Sequence, residues 1–140
     1  MIKKRFMELS IPKPAKRFTF KKNERLCEKK SIGRLFKEGK PFFQYPFKII
    51  YLPFNEPVNY PAKVLISVPK RHFKKAVDRN RIKRLVRESY RKHKMILWEN
   101  SPSHPHFLIA FVYTATQQHD YPFIEKKIIL ALQQISTKEK

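Results

Sequence analysis

The sequence predicts a single-domain α+β fold. Three observations carry that prediction. The chain has 140 residues, 41% of them apolar, which suits one packed core and argues against wholesale disorder. Short β-rich runs alternate with stretches of helical period. No internal repeat and no shift into a second compositional regime divides the chain.

The elements follow in order. Residues 1–17 form a basic, partly extended arm, with Lys3, Lys4, Arg5, Lys13, Lys16 and Arg17 around Pro12 and Pro14. Residues 18–135 form the domain, and 136–140 a tail. Ser31 is placed to cap a short helix through Glu38, with Ile32, Leu35 and Phe36 on one face and Gly39 and Pro41 ending it. Residues 47–54 and 62–68 are β-rich. Asn55, Glu56, Pro57, Asn59 and Pro61 separate them, the pattern expected of two antiparallel strands joined by a loop. Residues 41–45 add an earlier strand or an extended edge. From Asp78, read as a cap, to about Trp98 runs the clearest helix. Ile82, Leu85, Val86, Ser89, His93, Ile96 and Leu97 share one of its faces. Asn100, Pro102 and Pro105 end it. Residues 107–113 form a continuous apolar strand, expected to be central. Asp120 caps a last helix with Pro122 in its first turn, and Ile124, Ile128, Ala131, Leu132 and Ile135 are its buried stripe.

The formal net charge of +21 exceeds what solubility requires and predicts a polyanionic partner. It is unevenly placed: residues 1–106 hold a surplus of 20 positive charges and residues 107–140 a surplus of one. The C-terminal quarter is therefore scaffold. Cys27 is the only cysteine, which excludes an intrachain disulfide and a zinc site built on several thiolates, and points to the reducing cytoplasm. No apolar run approaches the roughly 20 residues of a membrane span, and no apolar segment follows the basic start as in a secretory signal.

Arg79, Arg81, Lys83, Arg84 and Arg87 are five cations in nine residues. With Ile82, Leu85 and Val86 facing inward, Asn80, Lys83, Arg84, Arg87 and Arg91 cluster on the opposite side. A solvated helix face would not be arranged this way. Arg79–Lys83, Lys83–Arg87 and Arg87–Arg91 are like-charged i,i+4 pairs, each costing roughly 0.2–0.5 kcal/mol. Glu88, four residues after Arg84, is the i,i+4 counter-charge within the cluster. Arg79 and Arg81 fall in the expected first turn, where the helix dipole disfavours cations. A phosphate backbone would reverse both penalties.

The stretch ISVPKRHFKKAVDRNRIKRLVRESYR resembles the signature of the ribonuclease P protein family: a strand, a basic pair, a short loop, Ala-Val, then Arg-Asn-Arg opening a helix. Upstream, KNERLCEKKSIGRLFKEG is similar to that family's N-terminal segment. The resemblance covers roughly residues 18–135. It implies an α-β-β-β-α-β-α sandwich with a left-handed βαβ crossover, like a domain of some ribosomal proteins. It also implies that Arg79, Asn80, Arg81, Lys83, Arg84, Arg87 and Arg91 contact a catalytic RNA. A cleft would receive the single-stranded 5′ leader of precursor tRNA. Phe36 matches the family's cleft-facing phenylalanine, Ile32 falls where an aromatic is common, and Lys48, Ser67, Lys70 and Arg71 line the same cleft. The chemistry would belong to the RNA and its magnesium, with no cofactor bound by the protein and no protein partner required. Leu65, Pro69 and the Tyr113-Thr114 pair depart from the family's usual residues at the cleft edge.

Phe18, Phe20, Phe36, Phe42, Phe43, Tyr45, Phe47 and Tyr51 crowd the N-terminal third, interleaved with Lys37, Lys40 and Lys48. More than half are expected in the core, and the rest suit stacking on unpaired bases. His104 and His106 lie in a Pro-rich loop without a metal-ligand companion set. Carboxylates upstream of residue 107 are scattered, unlike those of a two-metal nuclease, so no catalytic residue is assigned to the protein. Composition alone also fits a ribosomal or ribosome-assembly protein. A DNA reader laying the basic helix in the major groove lacks a preceding helix-turn.

Overall fold

The computed structural model describes residues 20–54, 58, 60–99 and 105–138. The expected arm, Phe18 and His104 lie outside them. A short 3₁₀ turn, Lys22–Glu24, opens the described chain, and a strap leads into helix α1, Lys29–Glu38. Strands β1 (Lys40–Gln44), β2 (Phe47–Phe54) and β3 (Ala62–Ser67) follow. Helix α2 spans Ala76–His93 and passes into a 3₁₀ turn, Lys94–Trp98. Strand β4 (His106–Tyr113) and helix α3 (Tyr121–Lys138) complete the α+β domain.

The four strands form one mixed sheet in the order β1-β2-β4-β3. β1 and β2 are an antiparallel hairpin, turned at the cis Tyr45-Pro46 bond. The expected pairing of the second and third strands does not occur. β2 pairs antiparallel with β4, and β3 pairs with β4 in parallel, so β3-α2-β4 is a crossover unit. The apolar run at 107–113 is what displaces the hairpin: Phe107, Ile109 and Phe111 are wholly buried on one face and Ala110 on the other. A strand apolar on both faces suits the middle of a sheet that has helices on both sides.

Each sheet face has its own core. Phe47, Ile49, Tyr51, Val64, Phe107, Ile109, Phe111 and Tyr113 meet α2 and α3. There α3 contributes the full expected stripe, from Ile124 to Ile135, and α2 contributes Ile82, Val86 and Tyr90. The opposite face carries a smaller cluster, in which Leu35 and Ile32 of α1 and Leu26 of the strap cover Ile50, Leu108 and Ala110. Burying one Leu or Ile side chain contributes about 1.5–3 kcal/mol, so α1 is held by only a few such terms.

Four helix ends differ from expectation or confirm it. Ser31 is not a cap: α1 starts at Lys29, and the Ser31 hydroxyl donates to the Glu28 carboxylate at 2.6 Å. Asp78 is not a cap either, because α2 begins at Ala76 and Asp78 sits in its first turn, where its charge suits the helix dipole. Asp120 does cap α3, accepting from the Phe123 N–H at 3.2 Å. α3 runs on to Lys138, past the boundary expected at 135.

Candidate RNA-binding interface

α2 presents its cations as the helical period requires, but they are not equivalent. Arg84 and Asn80 are exposed, whereas Arg79, Arg81, Lys83, Arg87 and Arg91 are partly covered. Because α2 starts at Ala76, Arg81 lies in its second turn rather than its first. Arg79 donates from one Nη1 to the carbonyls of Phe73 at 2.8 Å and Lys74 at 2.9 Å, which ties down the loop entering the helix. Arg81 donates to the Gln118 amide oxygen at 2.8 Å, linking α2 to the β4–α3 loop. Glu88 does not serve Arg84. It forms a two-pronged pair with Arg91, at 3.1 and 2.5 Å, and that hydrogen bond holds its carboxyl below the usual range. Arg87 is drawn below its ordinary value, first by burial and second by the charge of Arg25.

On the α1 side of the sheet, strand register fixes a second set. Phe43 pairs with Lys48, Lys48 with Val112, and Val112 with Ser67. Residues so paired share a face, and neighbouring strands lie about 4.8 Å apart, so this row spans roughly 14 Å. α1 covers the adjacent row, Ile50, Ala110 and Leu65, and leaves this one open. Phe43 is 61% exposed and Lys48 is exposed, while Val112 and Ser67 are partly so. Phe36 stands 48% exposed on α1, one turn beyond Ile32, which is spent on packing against the smaller cluster. Lys70 and Arg71 are exposed in the turn after β3, at the same end of the sheet. The structure thus brings Lys48 and Ser67 into one row. Phe43 was missed as a site residue: residues 41–45 are apolar at both Phe42 and Phe43, and only the strand's register separates the partly buried one from the exposed one.

The crowd of aromatics divides. Phe47 and Tyr51 are buried, Phe20 and Phe42 pack partly against the core, and Phe36, Phe43 and Tyr45 are exposed. His106 is used structurally: its Nε2 donates to the Val58 carbonyl at 2.8 Å, and its ring packs against those of Phe54 and Trp98. Among the described residues no group of three or more His, Cys, Asp or Glu side chains could hold a metal ion, and no helix is long and apolar enough to cross a membrane.

A family model described as Ribonuclease P matches residues 20–136. The chain belongs to the ribonuclease P protein family. Its relatives include the ribonuclease P protein component of Porphyromonas gingivalis, 35% identical over 120 residues, which covers 85% of this chain and 88% of the relative. That of Nitrosococcus oceani is 37% identical over 82 residues, covering 59% of this chain and 66% of the relative. The fold is similar to that of the RNase P protein from Thermotoga maritima, with a TM-score of 0.65 at 24% identity over 79% of this chain and 96% of the other. A Staphylococcus aureus RNase P protein mutant superimposes with a TM-score of 0.63 at 24% identity, over 83% and 90% of the two chains. A ribonuclease P protein is one subunit of a ribonucleoprotein endoribonuclease of tRNA processing, and it associates with the ribonuclease P RNA.

Proposed function

We propose that α2 grips the backbone of the ribonuclease P RNA and that the open row beside α1 holds the 5′ leader of precursor tRNA. The observation that carries this reading is convergence. The α2 N-terminus, Lys70, Arg71 and the Phe43–Lys48–Val112–Ser67 row all lie at one end of the sheet. On α2, Arg84, Lys83, Arg87, Arg81 and Asn80 face phosphates, with the positive end of the helix dipole behind them. Arg79 shapes the entry loop, and Arg91, neutralised by Glu88, contributes least. In the row, Phe36 and Phe43 stack on unpaired bases at about 1–3 kcal/mol each, Lys48, Lys70 and Arg71 neutralise the leader backbone, and Ser67 supplies a hydroxyl. Ile32 supports Phe36 from below.

The protein thereby raises substrate affinity and lowers the magnesium that the RNA needs for hydrolysis in the cytoplasm. Its residues position RNA and move no proton. The test is leader release from precursor tRNA at low magnesium, by the protein alone, the ribonuclease P RNA alone and the two combined. Release in the combined sample only is expected, with Phe36→Ala and Phe43→Ala weakening precursor more than mature tRNA. Cleavage by the protein alone, or equal affinity for the two tRNAs in every variant, would overturn the reading.

A further inference from the structure

Away from α2 and the open row, the strap between residues 21 and 28 builds a second cationic site. It follows the outer edge of β3, where Arg25 bridges to Val64 and the Leu26 N–H donates to the Val64 carbonyl at 2.9 Å. Between strap and strand lies an open basin of about 660 Å³, walled by Lys21, Lys22, Arg25 and Lys63 together with Cys27 and Glu28. Among the described residues of that lining, four cations stand beside one carboxylate, Glu28, which accepts from Ser31, and the Lys63 ammonium also lies 5.9 Å over the Phe54 ring. The strap's other carboxylate points inward. Glu24 takes the Lys94 ammonium at 2.7 Å in a buried ion pair and accepts the Lys21 N–H at 3.0 Å. The strap is therefore anchored from behind, with its cations left on the basin side.

The same strap abuts α2. The Arg25 guanidinium lies 5.8 Å over the Phe20 ring, and Phe20 meets Tyr90 edge-on at 5.7 Å. Tyr90 is one turn beyond Arg87 on α2, and Arg87 feels the charge of Arg25. Through Phe20 the strap and its Arg25 are thus joined to the stretch of α2 that carries Arg87. Like charges held together by a fixed scaffold favour an anion between them. The volume falls within the roughly 300–1,000 Å³ of small-ligand sites, room for a nucleotide unit.

We propose that this basin is a second backbone site, taking a phosphodiester segment of the ribonuclease P RNA continuous with the part held by α2. The proposal rests on the reading that α2 grips that RNA. Cys27, the only cysteine of the chain and exposed on the basin wall, gives a direct reporter. The experiment measures alkylation of Cys27 by N-ethylmaleimide in the full chain, free, saturated with ribonuclease P RNA transcript, and with precursor tRNA alone. The transcript is expected to slow alkylation about tenfold by restricting access to the thiol, and precursor tRNA alone to leave it unchanged. Lys22→Gln/Lys63→Gln is expected to restore alkylation in the saturated complex and to reduce the slope of log affinity against log salt by about two. Lys21→Gln/Lys22→Gln, confined to exposed side chains, gives the same readout without disturbing β3. A saturated complex whose Cys27 reacts at the free rate overturns the basin, as does an unchanged salt slope in both double variants. Protection by precursor tRNA alone overturns the assignment to the ribonuclease P RNA. Arg84→Gln separates the two ideas: normal affinity in that variant sinks the α2 reading, whereas a basin failure leaves its loss of affinity intact.

Discussion

Arg79 and Arg84 are the same residue type on the same helix, yet they do different work. Arg79 donates twice to loop carbonyls, and Arg84 is exposed. Arg84→Ala is expected to leave stability within about 0.5 kcal/mol, as at most surface sites, while weakening RNA binding. Arg79→Ala is expected to cost about 1.5 kcal/mol, the low end for bonds from a charged donor because the site is partly exposed, and to weaken binding as well. Thermal melting beside RNA titration of both variants checks this, and a stability loss in Arg84→Ala would mean that the helix face is misassigned. The face itself was legible in the sequence, because Ile82 and Val86 fix it by period. The division of labour was not. Capture of the Phe73 and Lys74 carbonyls depends on the loop's path, and the choice of Arg91 over Arg84 by Glu88 depends on rotamers that spacing does not set.

At the level of elements, strand existence was readable and strand partnership was not. The β-rich composition of 47–54 and 62–68 marks two strands, but composition is indifferent to which neighbour supplies the hydrogen bonds. The run at 107–113 could have been read further, since a strand apolar on both faces suits the middle of a sheet covered on both sides. The α1–β1 junction shows the opposite case, a single glycine with a legible role and an illegible reason. A Cβ on Gly39 would strike the Leu35 carbonyl oxygen and come within 2.6 Å of Ile50 Cγ2, so α1 reaches the sheet only because that atom is missing. Gly33, on the same helix, has nothing within 4 Å of its would-be Cβ. Gly39→Ala is expected to destabilise by about 1–3 kcal/mol through overpacking and to weaken leader binding by displacing α1. Gly33→Ala should stabilise by about 0.4–1 kcal/mol through helix propensity and a stiffer unfolded chain. Denaturant midpoints of the two variants are the check, and equal effects would place the α1–sheet contact elsewhere.

Across the described residues, six carboxylates are engaged internally while most of the cations face outward. Glu24 is paired with Lys94, Glu28 with Ser31, Glu38 with Arg34, Glu88 with Arg91, and Glu125 with His93 at 2.9 Å, while Asp120 caps α3. Such a protein resists its own charge through a few placed acids, and acid should undo it early. The Glu125 carboxyl is held below its ordinary value chiefly by the His93 hydrogen bond, with a further one from Tyr121, and Glu88 is held down by Arg91. A depressed folded-state value contributes stability that is complete above the unfolded-state value, about 4.3 for Glu, and is lost as pH falls through the folded-state value. Protonation at Glu125 also loosens α2 from α3, because His93 and Glu125 bridge those helices. The melting temperature is therefore expected to hold down to about pH 5 and to fall steeply below it, as the net charge climbs further. Glu125→Gln should lower the melting temperature at neutral pH and flatten the acid limb, since one of the titrating groups is gone. A variant whose acid limb matches the parent's would show that the α2–α3 bridge does not govern acid unfolding, which would then fall to Glu88 and to repulsion among the cations.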